Sequence, residues 1–162
     1  MTPMISVLVA LLAMGWTSVA CAGRFNDAGN LAEAVGMVKM TAHVSTVLRD
    51  QCVSAFPLLA TAIDDELEQW RGNESAVLEQ VDRRWHALER EGLEGGRILA
   101  DGAKAVRSDL AFIERMDDDE AGATVEDYCR RSFRDLAAGA WRVRTPDAYR
   151  LIEQAAVAVA GQ

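Results

Sequence analysis

Residues 31–57 read LAEAVGMVKMTAHVSTVLRDQCVSAFP, and this stretch sets the fold class of the chain. Apolar side chains recur every three or four positions at Leu31, Val35 and Val38, which is the spacing of one face of an α-helix. Pro57 ends the pattern, because proline has no backbone N–H and its ring clashes with the preceding turn. The stretch therefore predicts a long helix that begins at Leu31 and breaks at Pro57.

The remainder of the chain repeats this helical pattern. No segment alternates apolar and polar residues as a half-buried strand does, and only three prolines occur in 162 residues. Glycine and proline punctuate the pattern at short intervals, which indicates short loops between neighbouring helices. We predict an all-α fold in one domain, residues 23–162, built as an antiparallel bundle of about five to six helices. The predicted helices begin near residues 31, 57, 74, 97, 124 and 146.

The first 23 residues carry no charged side chain. Residues 4–16 are almost entirely apolar, and small residues follow them, as in the core and cleavage region of a secretory signal peptide. The apolar core is also shorter than a membrane-spanning helix requires. Ala20 and Ala22 have the spacing that signal peptidase prefers. We therefore predict a signal peptide over residues 1–22 and a periplasmic or secreted protein that begins at Gly23.

Cys21 supports a second interpretation of the same segment. The residues Ser18, Val19, Ala20 and Cys21 resemble a bacterial lipobox, in which the signal ends before the cysteine and the cysteine is lipidated. Lipidation at Cys21 would give an outer-membrane lipoprotein, and the protein would touch a membrane only through that lipid. The sequence leaves both forms of export open.

Export determines how the cysteines are interpreted. Of the three, Cys21 is either removed with the signal or blocked by lipid, which leaves Cys52 and Cys129. Extracytoplasmic compartments are oxidising, so we predict that these two form a disulfide. In the chain-entropy model, a disulfide that closes the loop from residue 52 to residue 129 stabilises the fold by about 4 kcal/mol. The alternative is a pair of free, buried cysteines that pack as small apolar residues.

Charge is distributed unevenly along the chain. The net charge is −8, but residues 129–162 hold six basic and three acidic side chains, whereas residues 23–128 hold eleven basic and twenty-two acidic ones. Nucleic-acid binding normally needs a strongly basic face, so this composition argues against a nucleic-acid partner. The basic end of the chain is instead a candidate surface for an acidic partner.

Arginine residues and one tryptophan are concentrated at that basic end. Arg130 and Arg134 are one helical turn apart and are expected to share a face. An exposed tryptophan beside arginines is typical of a protein-binding surface. The alternatives are that Trp141 staples the last helix to the bundle and that the arginines pair with acids of the same chain. The candidate partner-binding residues are Arg130, Arg131, Arg134, Trp141, Arg142 and Arg144.

Motifs for catalysis, cofactors and metals are not found in the sequence. There is no GxSxG, Walker or GxGxxG pattern, and His43 and His86 lie on different predicted helices without metal-ligand spacing. The acidic run 117–120 lacks the ligand spacing of a calcium loop and predicts a solvated loop. We therefore predict no catalytic residue, no metal site and no cofactor.

Three hypotheses for function follow from these observations. The leading one is an exported, non-enzymatic envelope protein that binds another, unidentified protein through a helical surface. The second is a hydrolase of envelope polymers that uses dispersed carboxylates, although the densest acids, at residues 64–68, diverge around a helix. The third is a helical bundle that binds a small ligand between its helices.

The export hypothesis makes a direct prediction about the mass of the protein from its native host. We expect a mature chain that begins at Gly23, and its mass under denaturing conditions should rise by two hydrogens after reduction of the disulfide. Intact-mass spectrometry with and without a reductant measures both quantities. A mass that begins at Cys21 with added acyl chains would select the lipoprotein. An unprocessed N-terminus with reduced cysteines would contradict the export hypothesis.

Overall fold

The computed structural model describes residues 28–115 and 121–160, and these residues form a helical bundle without strands. The predicted all-α bundle with one disulfide is confirmed, with an additional short helix between the predicted fifth and sixth. The predicted signal peptide, Cys21 and the acidic run 117–120 lie outside the described residues. The helices are α1 (Leu31–Ala55), α2 (Ala60–Asn73), α3 (Ser75–Arg90), α4 (Gly95–Arg115), α5 (Ala121–Ala137), α6 (Ala140–Arg144) and α7 (Pro146–Ala160), and Pro57–Leu59 forms a 3-10 turn.

Both ends of α1 are fixed by local hydrogen bonds. The side chain of Asn30 accepts a hydrogen bond from the backbone N–H of Glu33, and the Glu33 carboxylate accepts one from the N–H of Gly29. This reciprocal arrangement satisfies N–H groups that a helix start leaves unpaired. At the other end the N–H of Phe56 still bonds back to Cys52, after which Pro57 starts the 3-10 turn. The predicted break at Pro57 is therefore confirmed.

Helix α1 lies at the centre of the bundle and packs against α2, α3, α4, α5 and α7. Neighbours on several sides explain why α1 lacks a single apolar stripe of the kind that a helix on the surface shows. Its fully buried residues lie near its two ends, at Ala34, Val35, Val38 and Cys52. The residues between Val38 and Cys52 are at most half-buried. The middle of α1 therefore contributes open surface to the molecule.

Two groups of buried residues form the cores at either end of α1. The first core joins α1, α3 and α7, and the second, here called the disulfide core, joins α1, α2 and α5. Since α1 contributes to both, it holds the two halves of the bundle together. The large buried residues of the first core include Val81, Trp85, Tyr149 and Ile152, and those of the disulfide core include Ile63, Leu67, Trp70 and Phe133.

The predicted disulfide between Cys52 and Cys129 is confirmed and joins the end of α1 to α5. The Cα atoms are 5.8 Å apart, within the normal range for a disulfide. Cys52 is 1% exposed and Cys129 is fully buried, so the bond lies inside the core. No helix among the described residues is long and apolar enough to cross a bilayer.

Removing the disulfide should destabilise the fold without changing its helical content. We expect the double variant Cys52→Ala, Cys129→Ala to lose about 4 kcal/mol of unfolding free energy, because the unfolded chain regains the freedom of a long loop. Urea denaturation followed by circular dichroism measures the loss. The comparison is with the oxidised wild-type protein at the same pH. A loss below about 1 kcal/mol would mean that the cross-link contributes little to the stability of the bundle.

Candidate protein-binding groove

A groove runs along the middle of α1, on the side that α5, α6 and α7 border. It consists of two depressions with volumes of about 480 and 380 Å³. Thr41, Val44 and Trp141 line both depressions, so the two are neighbours. We call this pair of depressions the α1 groove. Most of its α1 residues lie between Val38 and Cys52, where no residue is fully buried.

The depression nearer the disulfide core has an apolar floor with aromatic walls. Leu48 lies in its floor, and Tyr128 of α5 and Trp141 of α6 line its sides. The hydroxyl groups of Thr41 and Ser45 donate hydrogen bonds to carbonyl oxygens one turn earlier in α1, at distances of 2.9 and 2.7 Å. Each hydroxyl already donates its hydrogen within its own helix. A partner can therefore cover the two hydroxyls without leaving either donor unpaired.

The second depression lies toward α7 and is also largely apolar. Met37 and Met40 line it together with Tyr149, and Gly36 leaves space at its edge. Methionine side chains are unbranched and flexible, so they can adapt to differently shaped apolar groups. This half of the groove can therefore accommodate an apolar side chain or an apolar portion of a ligand.

The short helix α6 places Trp141 over the groove. Gly139 begins α6 with φ of 75°, a left-handed conformation that glycine adopts without steric cost. At the other end both the N–H and the hydroxyl of Thr145 donate hydrogen bonds to the carbonyl oxygen of Trp141. Pro146 then starts α7. Two tight turns thus hold the indole between α1 and the disulfide core.

Arg131 and Arg144 stand at the rim of the groove, on α5 and α6 respectively. Their nearest carboxylates are those of Asp127, at 3.9 Å, and Asp135, at 3.5 Å. Both distances exceed the length of a normal charged hydrogen bond. The two arginine side chains are 63% and 58% exposed. The rim therefore carries two guanidinium groups that are only loosely paired.

The other predicted partner-binding arginines do not line the groove. Arg130 pairs with Glu126 of its own helix at 2.5 Å. Arg134 lies near Glu66 of α2, where burial raises the pKa of the carboxyl and the charge of Arg134 partly opposes that effect. The structure thus brings together Arg131, Trp141 and Arg144 of the predicted set, and it places Arg130, Arg134 and Arg142 elsewhere.

Comparisons with protein-family models, with curated proteins and with solved structures gave no significant match to this chain.

Arg142 belongs to a partly buried cluster, in which Glu74 and Tyr149 are buried while the Arg142 side chain is 41% exposed. It donates two hydrogen bonds to Glu74, from Nε at 3.1 Å and from a terminal nitrogen at 2.6 Å, and one to Glu153 at 2.6 Å. Its guanidinium also lies 4.4 Å from the ring centroid of Tyr149. Hydrogen bonding to Glu74 raises the pKa of Arg142 above its ordinary value, against the effect of burial. The cluster joins the α2–α3 turn to α6 and α7.

The cluster is important for the stability of the fold because it contains the buried carboxylate of Glu74. Glu74 is 5% exposed although it is the single residue between α2 and α3. A buried carboxylate is tolerated only with a charged partner and hydrogen bonds to both oxygens, and Arg142 supplies both. Sequence analysis missed this role, because residues 74 and 142 are far apart in the chain and nothing local marks Glu74 as buried.

Tyr149 connects the cluster to the floor of the groove. Burial, and to a lesser extent the charge of Glu74, raises the pKa of Tyr149 to about 12, while Arg142 and the indole of Trp70 act in the opposite direction. Within the described residues, Nε1 of Trp70 is buried and makes no hydrogen bond of normal geometry. The neutral phenol is the form that this site stabilises.

The acids of α2 lie in different surroundings, although Asp64 and Glu68 line one surface depression together with Arg49 and Asp50. Asp64 accepts two hydrogen bonds from Arg49 of α1, at 2.8 and 2.9 Å, and this lowers the pKa of its carboxyl. Glu66 lies toward α5, near Arg134, while Asp65 and Glu68 are exposed. His86 pairs with Glu89, three residues further along α3. Among the described residues, no three histidine, cysteine or acidic side chains are grouped as metal ligands.

Loss of the Arg142 side chain should destabilise the protein strongly. We expect Arg142→Ala to lower the unfolding free energy by about 3 kcal/mol, because the Glu74 carboxylate stays buried without its partner. Chemical denaturation at neutral pH measures the effect. The matched control is Arg150→Ala, which removes an exposed arginine paired with Asp147 and should cost less than about 1 kcal/mol. Equal losses in the two variants would contradict a structural role for the Glu74 pair.

The raised pKa of Tyr149 predicts a loss of stability at alkaline pH. In the unfolded chain tyrosine ionises near pH 10, whereas the native phenol keeps its proton to about pH 12. The native state thus binds more protons in this window, so the unfolding free energy should fall by about 2 kcal/mol as pH rises through it. Tyr149→Phe should remove this part of the fall. Denaturation of both proteins from about pH 9 to pH 12 tests this, and parallel curves would contradict it.

Proposed function

We propose that this protein is an exported, non-enzymatic protein of the cell envelope that binds a segment of another protein in the α1 groove. The observation that carries the proposal is an open apolar groove lined by Tyr128 and Trp141 and flanked by Arg131 and Arg144. Tryptophan, tyrosine and arginine are the residues that most often dominate protein–protein binding energy. Here all three kinds converge on one concave surface.

The groove is also built on rigid elements. Its walls are helices rather than long loops, and the disulfide fixes α5 against the end of α1. The Arg142 cluster fixes α6 against the α2–α3 turn and α7. A site that is formed before binding loses little conformational entropy when it binds a partner. These restraints therefore favour the groove over the exposed convex faces of the bundle as the binding surface.

Export is the second part of the proposal, and it rests mainly on the charge-free, apolar segment at residues 1–23. A buried disulfide fits an oxidising compartment, since such bonds are rare in the reducing cytoplasm. The periplasm and the exterior of the cell satisfy both observations. A lipid at Cys21 would tether the same groove to a membrane without altering it.

One observation favours a small-ligand function as a second candidate. The depression lined by Met37, Met40 and Tyr149 is mostly apolar, and its volume of about 380 Å³ lies within the range of small-molecule sites. Thr41, Val44 and Trp141 line both this depression and its neighbour. An apolar molecule that binds there would compete with a protein segment, which makes the two functions distinguishable by competition.

Site-specific crosslinking in the native host tests the proposal. We expect a photoreactive amino acid at position 128, in the groove, to form one discrete protein adduct in living cells. The same amino acid at position 58, a fully exposed site on the 3-10 turn, should form none. Trp141→Ala should lower the yield at position 128 by about tenfold, as expected for the loss of an aromatic anchor.

Val143→Ala is the matched control, because Val143 lies on the same short helix but is exposed and outside the groove lining. It should leave the adduct yield unchanged. Thermal melting of each variant identifies any change that merely unfolds the protein. Equal adducts from positions 128 and 58, or a yield that folded Trp141→Ala protein does not lower, would contradict protein binding in the groove.

A further inference from the structure

The side of α1 that faces the groove carries a coiled-coil spacing. Met37, Thr41, Val44 and Leu48 line the groove at intervals of four, three and four residues, and each is only half-buried. This spacing is the heptad pattern by which one helix presents a seam to another. It covers about three helical turns, or roughly 17 Å of helix. A second helix could pack against side chains at this spacing, although Met37 and Leu48 also pack against the two cores.

An extended segment would gain less from this surface than a helix. Extended peptides usually bind by adding a strand to the edge of a sheet, where free N–H groups donate hydrogen bonds to the peptide backbone and free C=O groups accept them from it. The described residues offer no strand, and the backbone groups in the middle of α1 are used within the helix. A helix satisfies its own backbone and contacts the groove only with side chains, as this surface requires.

The charge of the rim identifies the kind of helix that fits. The charged side chains that line the groove are Arg131, Arg144 and Asp135, which gives this surface a positive balance on a chain whose net charge is −8. The present partners of the two arginines are exposed aspartates at long distances. Breaking such a loose surface ion pair costs little free energy. A carboxylate from a partner can then accept two parallel hydrogen bonds from the guanidinium.

Given that the α1 groove binds a protein, as proposed above, we propose that its partner is an amphipathic helix with an acidic edge. Apolar side chains of that helix pack against the seam of α1 and against Trp141, and its carboxylates bind Arg131 and Arg144. The acidic remainder of this protein repels such a partner elsewhere, so the positive rim also directs where it binds.

A displayed peptide library tests the proposal on the full mature, oxidised protein. The library has helical peptides with apolar residues fixed on one heptad seam and with glutamate, glutamine or lysine at each flanking position. We expect selection to enrich glutamate at flanking positions. The double variant Arg131→Glu, Arg144→Glu should bind the selected peptides at least about tenfold more weakly, and it should in turn select lysine.

The double variant Arg130→Glu, Arg134→Glu is the matched control. It changes the net charge by the same amount and on the same region of the surface, but neither residue lines the groove. It should keep the affinity within about threefold, because neither residue contacts a helix in the groove and surface charges that make no direct contact act only weakly through water and salt. An equal loss of affinity in both double variants would overturn the proposal, since binding would then depend on the net charge of the surface and not on contacts in the groove.

Other outcomes separate this inference from the proposed function. Enrichment of glutamine or lysine, with an adduct still formed from position 128, would overturn the acidic helix but leave protein binding in the groove. The same adduct with no helical peptide selected would overturn the helix itself. If the protein instead bound vesicles of phosphatidylcholine and phosphatidylglycerol, in about a 3:1 ratio, through Arg131 and Arg144 and selected no peptide, the ligand would be an anionic lipid surface and the proposal would be wrong.

Discussion

The structure depends on one helix, α1, which both cores share and which a disulfide ties to α5. Burial of its two ends positions five of the other six described helices, because α2, α3, α4, α5 and α7 all pack against it. Its middle is left half-exposed as a result, and this is where the groove lies. The covalent bond from Cys52 to Cys129 fixes the helix that forms one wall. The shape of the candidate site therefore follows from the same constraint that holds the bundle together.

The opposite wall depends on electrostatics rather than on a covalent bond. Arg142 reaches inward to the buried carboxylate of Glu74, while its neighbours Trp141 and Arg144 line the groove. Residues one or two positions apart on a helix point in different directions, so a helix of five residues can serve both purposes. One face of α6 anchors it to the fold, and the other face offers an aromatic ring and a positive charge to a partner.

Much of the fold was predictable from local patterns, whereas the site was predictable only in part. The helices could be predicted from the apolar periodicity and from Pro57, because both depend only on neighbouring residues. The disulfide could be predicted because only two cysteines remain to pair once Cys21 is set aside. The predicted apolar face of the first helix, at Leu31, Val35 and Val38, is the one that leads into the first core. The seam toward the groove, which includes Val44, carries a visible heptad spacing, but only the positions of α5 and α6 show that it is open. Likewise, no local pattern separates Arg142 from the arginines of the rim, since the difference depends on Glu74, 68 residues away.

The burial of the disulfide has a consequence for how the chain reaches its native state. Cys129 is fully buried and Cys52 nearly so, and both border a depression of about 280 Å³ between the end of α1, α4 and α5. Thiol–disulfide exchange requires direct attack on a sulfur atom. Burial leaves very little of either cysteine accessible, so a reductant should attack the bond far more slowly in the folded protein than in the unfolded chain. Oxidation should correspondingly be fastest while α1 and α5 are still loosely associated during folding.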